Sequence, residues 1–457
     1  MTKKLSTATL VLLLAVSSLY AGKGKIRVAS DHQGAYVYVD GKKKAMTGEG
    51  FSSILLEEGE YTIKVVKSKN KYMGYLAEKK VFVGEDTSVK LSFKLKLTAL
   101  NFNVISDKYF GSKIAGGQFV SVVKTKDGGF IVSGFTDRPN KSYDAWVIKF
   151  DKESNKIWEK TFGGKNSDKL NSVILVKNGE FVFAGLTQDK LNHNVGWIVK
   201  IDDDGNKIWD KTFKAKNYAE LKSIVETKDG GFIAVGNTSS KSLGQDDAWI
   251  LSLDKEGNKL WDKILGNKKY EGLETVIQTN DENFLVAGYL TPKGTRKQDA
   301  WFLKLDKSGK KIWSNSFGGK NSENIHSMIQ LEDKSIVAVG YSNSLAYIVK
   351  LDQSGNKLWE NSFKSHFQLY SIIKTEDKGF MVVGRTFSNT VGQSDISILK
   401  LDRNGNKVWD KIWGGKGSDV LHQVIPANNE VFLGVGYSTS MSEGQYNGYI
   451  MQFFESK

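Results

Sequence analysis

The sequence predicts an all-β protein in which a small N-terminal module precedes a ring of repeated four-stranded units. Three observations carry this prediction: a glycine that ends an apolar run seven times, a Trp-containing phrase that recurs six times, and an unpaired segment ahead of the first repeat. A fixed period near 50 residues with strand-type content is typical of a β-propeller, because a unit of that size supplies one blade.

The recurring glycines lie 44 to 52 residues apart, and a Thr or Ser follows two residues later in six of the seven units, with Leu290 as the exception. In the third unit, alternating apolar residues and turn signals predict four strands at 221–227, 232–235, 247–253 and 259–264. Seven such units predict seven blades. The glycines that mark them are Gly134, Gly185, Gly236, Gly288, Gly340, Gly384 and Gly436.

The repeated phrase reads DAWILSLDKEGNKLWDK from Asp247 to Lys263. Asp254 and Gly257 suit the first and fourth positions of a type I turn, so the phrase is the outer hairpin of a blade. Its Asp-to-Trp segment resembles the tryptophan-docking motif of quinoprotein dehydrogenase propellers, although the spacing is one residue shorter and the blade count is seven rather than eight. The resemblance implies that each Trp packs against the next blade. These structural tryptophans are Trp158, Trp209, Trp261, Trp313, Trp359 and Trp409.

The two ends of the array complement each other. The last unit ends at Phe453 without a fourth strand, and segment 105–111 aligns with the outer strand at 157–163, with Ser106 at the Trp position. We therefore expect this N-terminal segment to serve as the outer strand of the seventh blade, which closes the ring and protects a sheet edge.

Residues 22–97 alternate apolar and polar side chains in short runs separated by turn signals such as Asp40-Gly41. The segments GAYVYVDG at 34–41 and LEEGEYTIKV at 56–65 resemble the PEGA domain, with His32 where that family usually has proline. The resemblance implies a small β-sandwich-like module that acts as a spacer or adhesive unit, with no catalytic residues. The predicted domains are thus a signal peptide at 1–21, this module at 22–97 and the propeller at 98–457.

Composition narrows the class of protein. Lys3 and Lys4, the apolar run 10–16 and the small residues before Ala21 predict a signal peptide, so we expect export to the periplasm or beyond the cell. The chain has no cysteine, which excludes disulfides, thiol catalysis and the adjacent cysteine pair of methanol dehydrogenases, and we expect no cofactor. The net charge is +14, but no nucleic-acid motif accompanies it, and no later apolar run is long enough to span a membrane.

On the first strand of each unit, the residue at one position differs between the blades, whereas the neighbouring positions repeat closely. It directly precedes the recurring Ser or Thr of each first strand, which lines the channel in a propeller. We therefore predict that it faces the channel mouth and binds a ligand, against the alternative of a solvated channel wall. Besides Val120 in the first blade, the candidate ligand-binding residues are Asn171, Lys222, Glu274, His326, Tyr370 and His422.

No pattern predicts a catalytic or metal-binding residue. The acidic turn 201–206 lacks the alternating carboxylates and final Glu of a calcium-binding loop, and the five histidines have no metal-site spacing. For Asp144, Asp247 and Asp299 we expect hydrogen bonds to a neighbouring turn.

We therefore expect a monomeric, non-catalytic envelope protein whose propeller binds a protein or a glycan and whose N-terminal module attaches it to the envelope. The alternative is a propeller enzyme, either a quinoprotein-like oxidoreductase or a carbohydrate-active enzyme, since the fold hosts both classes.

Overall fold

In the computed structural model the described part of the chain runs from residue 104 to 454, and residues 1–103 are described only by the course of their strands. Residues 105 and 367 are described by their backbone alone. Short gaps interrupt the description at 112–115, 139–141, 215–217, 240–245, 267–268, 344, 364–366, 389, 428–430 and 441–445.

The chain forms two compact units. One contains Met1–Asn103 and Phe454–Lys457, and the other contains Val104–Phe453. The described residues contain strands and turns and no helix, which confirms the predicted all-β class.

The N-terminal unit is built from two antiparallel sheets. Their strand orders are β5-β2-β1-β8 and β4-β3-β6-β7-β9. Strand β1 falls within the predicted signal peptide, and the rest of that peptide lies outside the described residues. The strands are β1 (Thr9–Leu14), β2 (Lys23–Val28), β3 (Tyr36–Val39), β4 (Lys42–Met46), β5 (Ser52–Glu57), β6 (Gly59–Ser68), β7 (Met73–Val83), β8 (Lys90–Lys94) and β9 (Lys96–Ala99).

The second unit is a seven-bladed β-propeller, and each blade is a four-stranded antiparallel sheet. Blades one to three comprise β11 (Gly117–Lys124), β12 (Phe130–Asp137), β13 (Tyr143–Phe150) and β14 (Lys156–Phe162); β15 (Asp168–Leu175), β16 (Phe181–Gln188), β17 (Asn194–Ile201) and β18 (Lys207–Phe213); and β19 (Ala219–Glu226), β20 (Phe232–Thr238), β21 (Asp247–Leu253) and β22 (Lys259–Leu265). Blades four to six comprise β23 (Glu271–Gln278), β24 (Phe284–Leu290), β25 (Asp299–Leu305) and β26 (Lys311–Phe317); β27 (Glu323–Gln330), β28 (Ile336–Ser342), β29 (Leu345–Leu351) and β30 (Lys357–Phe363); and β31 (Phe367–Lys374), β32 (Phe380–Thr386), β33 (Asp395–Leu401) and β34 (Lys407–Trp413).

The seventh blade joins the two ends of the propeller chain. It contains β35 (Asp419–Pro426), β36 (Val431–Ser438), β37 (Asn447–Phe454) and, as its outer strand, β10 (Asn103–Phe110). The rings of Tyr109 and Tyr449 lie 4.9 Å apart, and the Lys108 ammonium donates a hydrogen bond to the Ser154 carbonyl of blade one at 2.5 Å. The predicted closure by an N-terminal outer strand is therefore confirmed.

The apolar core lies between the blades. Strand β21 is buried on both faces: Trp249 and Leu251 pack with blade two, whereas Ala248 and Ile250 pack with blade four. The same arrangement explains why the inner three strands of a blade show little exposed surface. Only the outer strand alternates clearly, because one of its faces meets solvent.

The repeated tryptophans contact the hairpin turn of the following blade. A methyl group added at Gly257 would lie 2.8 Å from the Trp209 ring, and one at Gly309 would lie 2.7 Å from the Trp261 ring. Both glycines have positive φ, at 79° and 76°, so the ring covers a turn that needs glycine both for its backbone and for space. Trp158, Trp313 and Trp359 repeat this contact at Gly205, Gly355 and Gly405, and Trp409 is half-buried on blade six.

Candidate functional site

The six predicted binding residues occupy one structural position. In every blade the pairing of the first and second strands shifts by one residue at this point, for example between Ile325 and Ser327 and between Leu369 and Ser371. The residue in between, His326 or Tyr370, has no opposite partner and forms a β-bulge, which re-aims its side chain. Because each first strand is innermost in its blade, seven bulges place seven variable side chains around the channel.

The bulge residues of blades five to seven form a continuous aromatic wall. The ring centroids of His326 and Tyr370 are 5.2 Å apart, and those of Tyr370 and His422 are 5.3 Å apart. A second tier stands behind them, since Tyr341 lies 5.5 Å from His326 and Tyr437 lies 5.7 Å from His422. All three bulge side chains are half-buried, so the wall is both packed and accessible.

Blades two and three bring charged and polar side chains to the same level. The buried carboxylate of Glu220 accepts a hydrogen bond from Asn171 at 2.8 Å and pairs with Lys222 at 2.7 Å and with Lys169 at 3.5 Å. Tyr218 also donates its hydroxyl to this carboxylate. One carboxylate thus contacts four neighbouring side chains, two of which, Asn171 and Lys222, were predicted from sequence.

The electrostatics of the site are set by burial and by these pairs. Desolvation would raise the pKa of Glu220, but Lys222 and Lys169 outweigh it and lower the pKa to about 2. Desolvation by the channel walls lowers the pKa of His422 to about 3, and the charge of Lys169 adds to this shift. The pKa of His326 is lowered for the same first reason. Both imidazoles are therefore neutral at pH 7.

Interactions between distant blades place these groups around one opening. The charge of Lys169 in blade two lowers the pKa of His422 in blade seven, and the charge of Lys222 in blade three lowers the pKa of His326 in blade five. We call this set of residues the mouth funnel: the seven bulge residues, Lys169, Glu220, Tyr289, Asn324, Tyr341, Gln368, Arg385 and Tyr437. Within the described residues, direct contacts link His326, Tyr370 and His422 in one group and join Asn171 and Lys222 through Glu220, with Glu274 in neither group.

Sequence reasoning missed the second tier of the funnel. Tyr341, Arg385 and Tyr437 each directly follow a recurring glycine, at a position where blades one to three carry Phe, Leu and Asn and blade four carries Tyr289. Arg385 donates a hydrogen bond from its Nε to Gln368 at 2.7 Å, and Tyr370 donates its hydroxyl to the same amide oxygen at 3.0 Å. Variation at that single position of the repeat was the signal that could have identified them.

The predicted role of the aspartates before Ala-Trp, a hydrogen bond to a neighbouring turn, is wrong for Asp144. Asp144 pairs with Arg138 of its own blade rather than with a neighbouring turn. Asp247 is 1% exposed, and among the described residues, which leave out 240–245 and 267–268, neither of its carboxylate oxygens has a hydrogen-bond partner. Asp247 begins β21, which is buried on both faces, so its side chain has little access to solvent.

Other concave features lie away from the funnel. A cleft of about 280 Å³ separates blades three and four and is lined by Lys263, Leu265, Glu271, Leu290 and Trp301, among others. Among the residues that the structure describes, no group of three or more His, Asp or Glu side chains is arranged to hold a metal ion. Within the same residues, no helix has the length and apolar character needed to cross a membrane.

Comparison with known structures supports the fold. A streptogramin B lyase structure aligns over 78% of this chain and 98% of its own, with 12% identity and a TM-score of 0.51. Two proteins of unknown function also match. The one from Bacteroides caccae is 13% identical, and the alignment covers 65% of this chain and 94% of that protein with a TM-score of 0.40. The one from Dyadobacter fermentans is 11% identical, and the alignment covers 78% of this chain and 100% of that protein with a TM-score of 0.46. At these identities the likeness concerns the fold alone.

Comparison of the sequence with curated proteins gives no match. Among family models, that of the PEGA domain matches residues 23–98. This is the N-terminal segment whose strands and turns were predicted from sequence. The chain therefore carries a PEGA domain followed by a seven-bladed β-propeller.

Proposed function

We propose that this chain is an exported, non-catalytic binding protein of the cell envelope, in which the mouth funnel captures a ligand and the PEGA domain serves for attachment. The observation that carries the proposal is the set of β-bulges. Each blade repeats its fold closely, yet the seven blades present six different residue types, with His twice, at the one position where the bulge re-aims the side chain.

The composition of the funnel supports binding. Ligand sites in proteins combine aromatic surface with a few fixed polar groups, and the funnel offers three adjoining rings opposite a carboxylate held by Lys222 and Asn171. The outer surfaces of the blades are instead dominated by repeated lysines and acids, which pair with each other, as Lys259 does with Asp262. Repeated surface of that kind maintains the fold and gives no specificity.

The test is retention of envelope components on the immobilised full-length protein. We expect Tyr370→Ala to lose the retained component while keeping the wild-type unfolding midpoint. The control is Leu260→Ala, because Leu260 is 63% exposed on an outer strand far from the channel. If the wild type and both variants retain the same component equally, the funnel is not the binding site.

An enzyme that acts at the same funnel is the second candidate. The specific observation in its favour is the pair of unprotonated imidazoles at the aromatic wall, which can accept a hydrogen bond from a reacting group at neutral pH; the lowered pKa of His422 makes it a weak base. The two candidates differ in the fate of the retained component. Binding predicts that it is recovered chemically unchanged, whereas an enzyme predicts a product whose formation His422→Gln abolishes.

A further inference from the structure

We infer that the ligand of the mouth funnel is a neutral, polyhydroxylated ring, namely a sugar unit of a glycan, which stacks on the wall formed by His326, Tyr370 and His422. This inference rests on the proposed function and adds the chemical class of the ligand.

The aromatic wall supplies the first argument. Tyr370 stands between two imidazoles at 5.2 and 5.3 Å, and each pair of ring planes is inclined by 51°, so the three rings form an angled row along the wall. A pyranose ring presents C–H groups on its face and hydroxyl groups at its rim. Aromatic rings with polar edges match that pattern, because their faces pack on C–H groups while the ring nitrogens and hydroxyls bind at the rim.

The charge balance supplies the second argument. Glu220 is already paired with Lys222 and Lys169, and its low pKa follows from that pairing. Arg385 is occupied by the Gln368 amide and lies 4.9 Å from the Phe387 ring centroid. The funnel holds three cations, Lys169, Lys222 and Arg385, and each of them already has a protein partner, which favours an uncharged ligand.

Hydrogen-bonding capacity supplies the third argument. Nε2 of His422 and Oδ1 of Asn324 are buried polar atoms for which the described structure shows no hydrogen-bond partner. Asn324 lies opposite Tyr341 in the register of β27 and β28, so this side chain is held beside the aromatic wall. A hydroxyl group is both donor and acceptor, and it can therefore satisfy a neutral imidazole nitrogen and an amide oxygen alike. A sugar brings several hydroxyls around one ring.

The two halves of the funnel then have distinct roles. Blades five to seven provide the stacking surface, whereas Asn171 and Lys222 on the opposite side provide donors whose direction is fixed by Glu220. Fixed donors cost little ordering entropy when a ligand binds, which is the general advantage of a preorganised site.

The experiment is binding of the purified full-length protein to an array of neutral and acidic oligosaccharides, followed by calorimetric titration with the oligosaccharide that is retained best. We expect a neutral oligosaccharide to bind, Tyr370→Ala to weaken its affinity by about tenfold or more, and Tyr370→Phe to stay within about threefold of wild type. Leu260→Ala should bind like wild type.

Each contrary outcome has a separate meaning. If Tyr370→Phe loses as much affinity as Tyr370→Ala, the hydroxyl rather than the ring face makes the contact, and stacking is refuted. If only acidic oligosaccharides bind, the ligand is not neutral. If the array shows no binding but Tyr370→Ala still loses the component retained from the envelope, the ligand class is wrong and the proposed function stands. If that retention is also independent of Tyr370, both proposals fail.

Discussion

The contact between an outer-strand tryptophan and the next blade can be measured through Gly309. Replacing this glycine by alanine places a methyl group 2.7 and 2.9 Å from two carbons of the Trp261 ring, closer than such atoms approach. The left-handed backbone, with φ of 76°, adds about 1–2 kcal/mol for any residue with a Cβ atom. Displacing a packed ring adds about 1–3 kcal/mol. We therefore expect Gly309→Ala to lower the free energy of unfolding by about 2–5 kcal/mol, measured by urea denaturation.

Gly230 is a matched control for this substitution. It also has positive φ, at 87°, and its amide closes a hairpin turn with the same 2.9 Å hydrogen bond, but a methyl group there meets nothing within 4 Å. Gly230→Ala should therefore cost only the backbone term, about 1–2 kcal/mol. In a Trp261→Ala background the cost of Gly309→Ala should fall to the same value. Equal costs for Gly309→Ala and Gly230→Ala in the wild-type background would refute the docking contact.

Three further substitutions probe groups buried by the blades. Lys400 is 1% exposed and bonds both carboxylate oxygens of Asp377 at 2.7 Å, so Lys400→Met should lower the urea midpoint and cost about 3 kcal/mol; an unchanged midpoint would contradict the role of the pair. The pKa values of His326 and His422 are lowered in the folded state, so the unfolded chain takes up protons first and the free energy of unfolding should decline as the pH falls from about 6.5 toward 3. His422→Gln should make that decline shallower. If the variant and the wild type lose stability in parallel, His422 is not responsible. Burial raises the pKa of Asp247, so its charge opposes folding increasingly as the pH rises, and Asp247→Asn should raise the unfolding temperature at pH 7; a rise on adding Ca²⁺ that only the wild type shows would instead indicate a metal site.

Blade number and ring closure could be predicted because the repeat is regular. Seven glycines give seven copies, and segment 105–111 aligns with an outer strand that the last copy lacks. Strand β21, by contrast, reads as alternating but is buried on both faces, since propeller blades pack on two sides. Alternation cannot reveal the second buried face when its residues are apolar as well.

The β-bulges could not be predicted from the repeat. The extra residue occurs in every copy, for example at His326 and Tyr370, so aligned copies show no offset. Variation between the copies singled out this position, but it did not reveal the bulge that re-aims the side chain there. The buried ion pairs were also missed, because Lys149 and Lys400 look like exposed lysines until the turn carboxylates fold over them.

The most direct test of the account is the location of the bound ligand. A photo-crosslinking amino acid is placed at Tyr341, beside the aromatic wall, and in a second variant at the exposed outer-strand residue Leu260. We predict that irradiation in the presence of envelope extract attaches a component at position 341 and none at position 260. Crosslinking at position 260 but not at 341 would contradict the claim that function resides at the mouth of the channel.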